Sequence, residues 1–125
     1  DKYIVLFESH FKRNFIHLAD VVEAFLLPIE NQVLNRAMRG ETYNVGMSSA
    51  NLSKLELCQK IKEQIPDFYI ATSEFNKDPD QRNYIVSNAK LESLGWKPTV
   101  SLEEGIEALI KAYPILSSGD SMSNV

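Results

Sequence analysis

Two arginines are the residues of this sequence best suited to hold a ligand. Arg13 follows Lys12 between two apolar stretches, just before a predicted helix, and Arg82 precedes another apolar stretch. A guanidinium group in such a junction can grip a phosphate through two parallel hydrogen bonds. From position alone a solvated surface charge is the simpler interpretation, because most arginines are exposed. Arg82 could also simply pair with Asp78 or Asp80.

The sequence offers no set of catalytic groups beside these arginines. Its five glycines lie at positions 40, 46, 95, 105 and 119, too far apart for a dinucleotide-binding turn or a P-loop. No tyrosine is followed four positions later by a lysine, a pair that would suit removal of a hydroxyl proton. With two histidines and one cysteine, a transition-metal site is not expected. We therefore expect no catalytic, cofactor-binding or metal-binding residues, and no activity from the chain alone.

Composition and charge bound the class of protein. The chain has 125 residues, of which 44% are hydrophobic and 24% charged, typical of one globular domain. A net charge of −4 argues against general binding to nucleic acid or to an anionic membrane. The longest apolar run, residues 24–29, contains Pro28 and is too short to span a bilayer. Without a visible signal peptide or a second cysteine, a cytoplasmic protein, or a piece of one, is expected.

Short strands alternate with helices in the predicted secondary structure. We expect strands over residues 2–7, 42–45 and 68–71, a short strand or extended stub over 84–86, and a polar loop over 72–81. This alternation indicates an α/β or α+β arrangement, but four strands of this length make a poor independent sheet. The chain therefore reads like part of a larger fold. Residues 117–125, rich in serine, are expected to form a flexible tail.

The helices are predicted mainly from their first and last residues. A first helix should begin at Leu18 and break or kink at Pro28, because proline lacks the backbone donor, and a second should cover residues 29–39. Capping boxes open two others, Ser53 with Glu56 and Ser101 with Glu104. We expect a short helix over residues 88–94, capped by Ser87 and stopped by Gly95, and we expect Pro114 to end the last helix.

Three motifs resemble those of the extended short-chain dehydrogenases that act on nucleotide sugars. Residues 13–22 read R-N-F-I-H-L-A-D-V-V and resemble the family stretch R-D-[FY]-[IV]-[HY]-V-x-D-[VL]. Residues 43–46 read Y-N-V-G, similar to the family's Y-N-[VIL]-G. Residues 82–106, with S-N-A-K, L-G-W-K-P and S-L-E-E-G-I, resemble the family's C-terminal block. The motifs occur in the family's order.

The resemblance implies the C-terminal, substrate-binding portion of a Rossmann-type NAD(P)-dependent nucleotide-sugar epimerase or dehydratase, over residues 1–116. NAD or NADP would then bind the missing N-terminal cofactor domain and not this chain, and the partner would be a nucleotide-diphosphate sugar. By motif, Arg13 and Arg82 match the two arginines that commonly grip the diphosphate. Asn44 matches a position on the substrate side, where support of the backbone is an equal alternative. His17 and Asp20 match positions with a structural role at the start of a helix.

Two departures from the family pattern keep alternatives open. Asn14 stands where the family usually has Asp, and Pro28 interrupts what is usually a continuous helix. If that Asp orients the arginine, the amide would hold it more weakly. The alternatives are a non-catalytic interaction module on the same fold, a fragment of a sugar-nucleotide reductase, or a fragment of an ADP-heptose epimerase, whose sequence residues 6–13 resemble. The base, the sugar and the reaction stay open.

The resemblance also implies an apolar surface. In the family the first helix and the strand at residues 43–46 pack against the cofactor domain. Without that domain, Val21, Val22, Phe25 and Val45 would be left exposed. We therefore expect the chain to form a homo-oligomer, or to rearrange, so that this surface is covered.

Overall fold

The computed structural model describes residues 2–75 and 82–117, and within them short strands alternate with helices. The elements are β1 (Tyr3–Phe7), β2 (Lys12–Asn14), α1 (Leu18–Glu30), α2 (Gln32–Met38), a 3-10 turn (Ser48–Ala50), β3 (Asn51–Ser53), α3 (Lys54–Gln64), β4 (Tyr69–Ser73), α4 (Ala89–Glu92) and α5 (Leu102–Ser117). The predicted mixed α/β class is confirmed. Most of the expected flexible tail at 117–125, and residues 76–81 of the expected polar loop, lie outside the described residues.

The four described strands form two separate pairs. β1 and β4 run parallel, with Tyr3 opposite Tyr69 and successive residues in register to the end of both strands. β2 and β3 run antiparallel, with Arg13 opposite Leu52. Because two-stranded pairs of this size bury little surface, side-chain contacts between the elements must hold them in place.

The first helix does not end at its proline. α1 continues two residues beyond Pro28 to Glu30, and the break comes at Asn31. Asn31 donates its backbone N–H to the Leu27 carbonyl (3.2 Å), and its side chain caps α2 by accepting from Val33 N (3.0 Å) and Leu34 N (3.1 Å). A proline in the last turn removes one internal hydrogen bond without preventing that turn, so the side-chain cap fixes the position of the break.

Both predicted capping boxes are present. Ser53 Oγ accepts from Glu56 N (3.2 Å), and Glu56 Oε2 accepts from Ser53 N (2.7 Å). Ser101 and Glu104 make the same reciprocal pair at 3.2 and 2.8 Å. The expected end of α5 at Pro114 is wrong, because the helix continues through this residue. Proline adopts helical backbone angles, so its missing donor and the crowding of its ring against the carbonyl four residues earlier weaken the turn without ending the helix here.

The predicted strand over residues 42–45 is wrong. Of the two alternatives for residues 84–86, the strand does not form, since neither segment joins a ladder among the described residues. Their backbone groups are paired with side chains instead. Lys90 Nζ donates to the Thr42 carbonyl (3.0 Å), and Val86 is bonded to the side chain of Asn51. The predicted Ser87 cap is also wrong: α4 begins after Asn88 and has no side-chain cap. Gly95 follows with φ +91°, which confirms the left-handed stop.

A small core joins α1, α4 and the turn after α4. It consists of Ala24, Leu91 and Trp96, each at most 6% exposed. Partly buried apolar side chains pack around it, namely Ile16, Leu27, Met38, Tyr43 and Val45. The segment at residues 42–45 is thus held by its side chains in the core rather than by a sheet.

A buried carboxylate ties α1 to the segment before α5. Asp20 is 1% exposed, and its Oδ1 accepts from the backbone N (2.8 Å) and the hydroxyl (2.9 Å) of Thr99. Its Oδ2 accepts from Val100 N (3.2 Å). Burial acts to raise the pKa of Asp20, but these hydrogen bonds, helped by nearby His17, outweigh it, and the pKa lies below its ordinary value of 3.8. Asp20 is therefore structural.

Candidate functional site

The fold brings the two predicted arginines together although they are 69 positions apart. Arg13 Nη1 donates to the backbone carbonyl of Arg82 and to that of Lys12 (2.8 Å). The two chain segments also meet through Lys12 N, which donates to Asn83 Oδ1 (2.9 Å). The result is a surface on which two guanidinium groups, one half-buried and one exposed, come from neighbouring segments.

An aromatic ring lies beside this arginine pair. The guanidinium carbon of Arg13 is 5.2 Å from the centroid of the Tyr84 ring. This distance is within the reach of a cation–π contact, for which arginine is the common partner. Tyr84 had not been singled out from the sequence, although its place two residues after Arg82 in a segment facing β2 is the signal that could have found it.

The segment that carries Arg82 is held by amide side chains instead of strand partners. Asn51 Oδ1 accepts from Val86 N (2.9 Å), and Asn51 Nδ2 donates to the Val86 carbonyl (3.0 Å). The side-chain amide therefore pairs with a peptide group as a neighbouring strand would. One residue further on, Asn44 Nδ2 donates to the Ser87 carbonyl (3.1 Å). The predicted site residue Asn44 thus supports the backbone of this segment.

Asn14 does not orient Arg13 in the way that the family aspartate suggested. Its side chain pairs with the backbone of Met47, accepting from Met47 N (2.9 Å) and donating to the Met47 carbonyl (2.7 Å). Asn14 Nδ2 also donates to Asn51 Oδ1 (3.0 Å). A carboxylate could accept from Met47 N but could not donate to the other two oxygens. Asn14 therefore locks β2 to the residue after the Y-N-V-G motif.

Gly46 is required by this packing. A Cβ at position 46 would lie 2.2 Å from Asn14 Oδ1 and 3.0 Å from Asn88 Oδ1. Asn88 is 1% exposed, so its side chain cannot move away at little cost, and that of Asn14 is held by its hydrogen bonds to Met47 and Asn51. The motif glycine thus permits the asparagine contacts behind the arginine pair.

His17 has a structural contact. Its Nδ1 accepts from Ala19 N (3.2 Å), which caps α1. It also lies at the wall of an apolar cavity of about 510 Å³. The cavity is lined by α3, α5 and residues 15–18 together with Met47, and none of the lining side chains is charged. Such a lining suits an apolar group rather than a phosphate.

Side chains that commonly ligate metals do not cluster within the described part of the chain. Within residues 2–75 and 82–117, no group of three or more histidine, cysteine, aspartate or glutamate side chains could hold a metal ion. The glycines of the chain are too widely spaced to form the turn that a dinucleotide pyrophosphate needs. Over the same ranges, no helix combines the length and apolar character needed to cross a membrane.

Comparison with known proteins finds relatives that are nucleotide-sugar enzymes. The chain is 41% identical over 113 residues to dTDP-D-glucose 4,6-dehydratase of Mus musculus, a match that covers 82% of this chain and 29% of the relative. Among solved structures, UDP-glucose 4-epimerase of Thermotoga maritima, determined with UDP-glucose, matches with a TM-score of 0.69 and 26% identity. That match covers 90% of this chain and 35% of the epimerase.

A third match is to an enzyme of a GDP-linked sugar, whose structure was determined with NADPH present. GDP-D-glycero-L-gluco-heptose synthase of Campylobacter jejuni, determined in the presence of NADPH, has a TM-score of 0.71 and 18% identity, over 90% of this chain and 33% of that one. No family model matches the sequence. The chain spans about a third or less of the length of the proteins it matches, in their C-terminal part.

These matches define the class of fold. The chain has the fold of one part of the Rossmann-type NAD(P)-dependent nucleotide-sugar epimerases and reductases. The same relatives support an assignment to the extended short-chain dehydrogenase family, whose motifs the three sequence motifs resemble. The relatives named here differ in nucleotide, with dTDP, UDP and GDP among them, and in reaction.

Proposed function

We propose that residues 1–116 are the C-terminal, substrate-binding portion of an NAD(P)-dependent nucleotide-sugar epimerase or dehydratase of the extended short-chain dehydrogenase family. The observation that carries the proposal is the contact between Arg13 Nη1 and the Arg82 carbonyl. Residues that the motifs pair as a phosphate grip are adjacent in the fold, although the described residues between them include three α-helices, a 3-10 turn and two strands. The relatedness to a dTDP-D-glucose 4,6-dehydratase supports the same conclusion.

The ligand is a nucleotide-diphosphate sugar, held at its diphosphate. A diphosphate can accept charge-assisted hydrogen bonds from the guanidinium groups of both arginines. Asn44 is a further substrate-side residue. Its side chain is exposed and its Nδ2 is directed to the Ser87 carbonyl, so its amide oxygen is the atom that can accept from the ligand.

The contribution of the chain is binding and orientation. Contacts to the diphosphate are remote from the reacting carbon of the sugar, and binding energy from remote groups holds the reacting part in a productive pose. NAD or NADP binds a portion of the protein outside this chain, whose own glycines do not form a dinucleotide turn. The chain alone is therefore inactive.

The first experiment is calorimetric titration of dTDP, UDP, GDP, ADP and CDP into the chain and into any longer protein that contains it. The Arg82→Ala variant is compared with Arg39→Ala, in which an exposed arginine outside the site is removed. We expect one nucleotide to bind most tightly, and its affinity to fall roughly tenfold or more in Arg82→Ala because a charged hydrogen bond is lost. The Arg39→Ala variant should bind like the wild type. Equal affinities in both variants, or no binding to the longer protein, would contradict the proposal.

An exposed apolar surface supports the further proposal that α1 docks on a missing cofactor domain or on a second copy. Phe25 is 68% exposed and Val22 48%, and Leu18 and Ile29 extend the same stripe at helical spacing. The expected exposure of Val21 and Val45 is not seen, since both are half-buried and Val45 packs on the core. Light scattering over a concentration series, with a hydrophobic dye as a second probe, tests this. A monomer at all concentrations that binds no dye would exclude it.

A further inference from the structure

We propose that Tyr84 is a positioning residue for Arg13, holding its guanidinium with the aromatic ring in the pose that binds a nucleoside diphosphate. The ligand in this proposal rests on the proposed function. The contact between the Tyr84 ring and the Arg13 guanidinium is observed directly, does not depend on the identity of the ligand, and is tested separately.

The ring and the carbonyl groups restrain the guanidinium from different directions. Its carbon lies 5.2 Å from the centroid of the Tyr84 ring, and its Nη1 donates to the carbonyls of Lys12 and Arg82. The planar fork is therefore restrained both at its face and at one edge. A long side chain that is already restrained loses less conformational entropy when it takes up a phosphate.

The ring reaches this position because the backbone of residues 83–84 runs beside Lys12. Lys12 N donates to Asn83 Oδ1 (2.9 Å), and Tyr84 N donates to the Lys12 carbonyl (3.5 Å). Two residues later, Asn51 fixes the peptide of Val86. The segment is thus held on both sides of Tyr84, and the contact does not depend on the two side chains alone.

The partly exposed position of both groups places the contact where a ligand can reach it. Tyr84 is 44% exposed, and Arg13 is half-buried. A guanidinium over an aromatic face keeps its full charge, since the ring supplies only its quadrupole and no counter-charge. The ring can therefore orient the guanidinium without neutralising its charge.

The first part of the test is calorimetric titration of dTDP and UDP into wild type, Tyr84→Phe and Tyr84→Leu. Phenylalanine keeps the ring face and leucine removes it. We expect Tyr84→Phe to bind within about twofold of wild type, and Tyr84→Leu to bind about three- to tenfold more weakly. Tyr113→Leu, which changes an exposed tyrosine on α5, is the matched control and should leave the affinity unchanged.

A double-variant comparison separates positioning from direct contact. In an Arg13→Ala background, Tyr84→Leu should have no further effect on the affinity for either nucleotide, because the group it positions is gone. A loss as large as in the wild-type background would overturn the proposal, since the ring would then act on the ligand or the fold directly.

The second part needs no ligand. The aromatic ring current should shift the side-chain NMR signals of Arg13 upfield in wild type and in Tyr84→Phe, and this shift should vanish in Tyr84→Leu. A wild-type protein without the shift overturns the positioning proposal whatever the nucleotides do. A protein that shows the shift but binds neither nucleotide, even within the longer chain, contradicts the proposed function alone.

Discussion

The capped helix α3 is held at its start by residues close together in the sequence, whereas the segment that carries Arg82 is held by residues distant in the sequence. α3 begins where Ser53 and Glu56, three positions apart, satisfy each other's backbone donors. Residues 83–87 instead depend on groups that lie 35 to 71 positions away in the sequence. These groups are the side chains of Asn51 and Asn44 and the backbone N–H of Lys12. The helix can therefore form early and locally, whereas the arginine site exists only when distant parts of the chain have assembled.

This difference means that the site should be lost more easily than the helices. Removing a local cap should weaken one element by a modest amount. Removing a long-range amide contact should release the Arg82 segment and lower nucleotide affinity as well as stability.

The Gly46→Ala substitution should be the most damaging. Its Cβ would lie 2.2 Å from Asn14 Oδ1, so the amide pair with Met47 must break or shift. We expect the free energy of unfolding to fall by about 3 kcal/mol or more, from overpacking and lost hydrogen bonds together. Urea denaturation measures this. Gly40→Ala is the control, with a strained φ of +75° but no atom within 4 Å of the new Cβ, and should cost about 1 kcal/mol. Equal losses would contradict the packing argument.

The Asn51→Ala substitution should release the Arg82 segment. It removes both hydrogen bonds to Val86 and the acceptor for Asn14. We expect a loss of about 2–3 kcal/mol in stability, faster hydrogen exchange at the Val86 amide, and nucleotide affinity reduced roughly fivefold.

The matched control for Asn51 is Asn31, whose amide side chain caps α2 through Val33 N and Leu34 N. Asn31→Ala should cost about 1 kcal/mol and leave both the Val86 exchange and the nucleotide affinity unchanged. If the two asparagine variants behave alike in all three measurements, the contrast between local and long-range contacts does not hold.

The Asp20→Asn substitution should change how stability depends on pH. Because the pKa of Asp20 is lowered in the folded state, its contribution is fully present above its unfolded pKa, near 3.8, and is lost as pH falls through the folded value. We expect the variant to be about 2 kcal/mol less stable at pH 7, with the difference shrinking below about pH 4. Thermal unfolding from pH 2 to pH 7 measures it. A difference that stays constant over this range would show that the charge of Asp20 has no role.

The smallest effect is expected for Ser53→Ala. It removes one cap hydrogen bond from α3 and should lower the free energy of unfolding by about 1 kcal/mol. Nucleotide affinity should not change, because the contacts that position Arg82 are made elsewhere. Denaturation and titration of the same sample measure both quantities. A clear loss of affinity would indicate that α3 and the site are coupled through β3.

The parts of the structure that follow from neighbouring residues were predictable from the sequence. The capping pairs of α3 and α5 and the left-handed Gly95 depend on residues within one turn of each other. The sequence did not show that residues 42–45 would form no strand, or which of its two alternatives residues 84–86 would take. These segments are held by core packing and by side-chain amides from distant positions. Similarly, the position of Pro28 in the sequence does not predict the end of α1, which is set by the cap at Asn31.

The candidate site was predictable only in part. The motifs name Arg13 and Arg82, and the structure places them side by side. Their positions alone did not distinguish a phosphate grip from surface charges, and the roles of both arginines and of Asn44 stay predictions. Tyr84, Asn51 and the pairing of Asn14 with Met47 appear only in three dimensions, since each depends on a partner in another segment.

Phosphorus-31 NMR of dTDP and UDP titrated with the chain, alone and within a longer protein that contains it, tests the central claim most directly. If Arg13 and Arg82 bind the diphosphate, both phosphorus signals of the nucleotide that binds should shift or broaden with wild type and with Arg39→Ala. Neither signal should change with the Arg13→Ala/Arg82→Ala double variant. Signals that respond equally to the double variant and to wild type, or that respond to none of the proteins, would contradict the account.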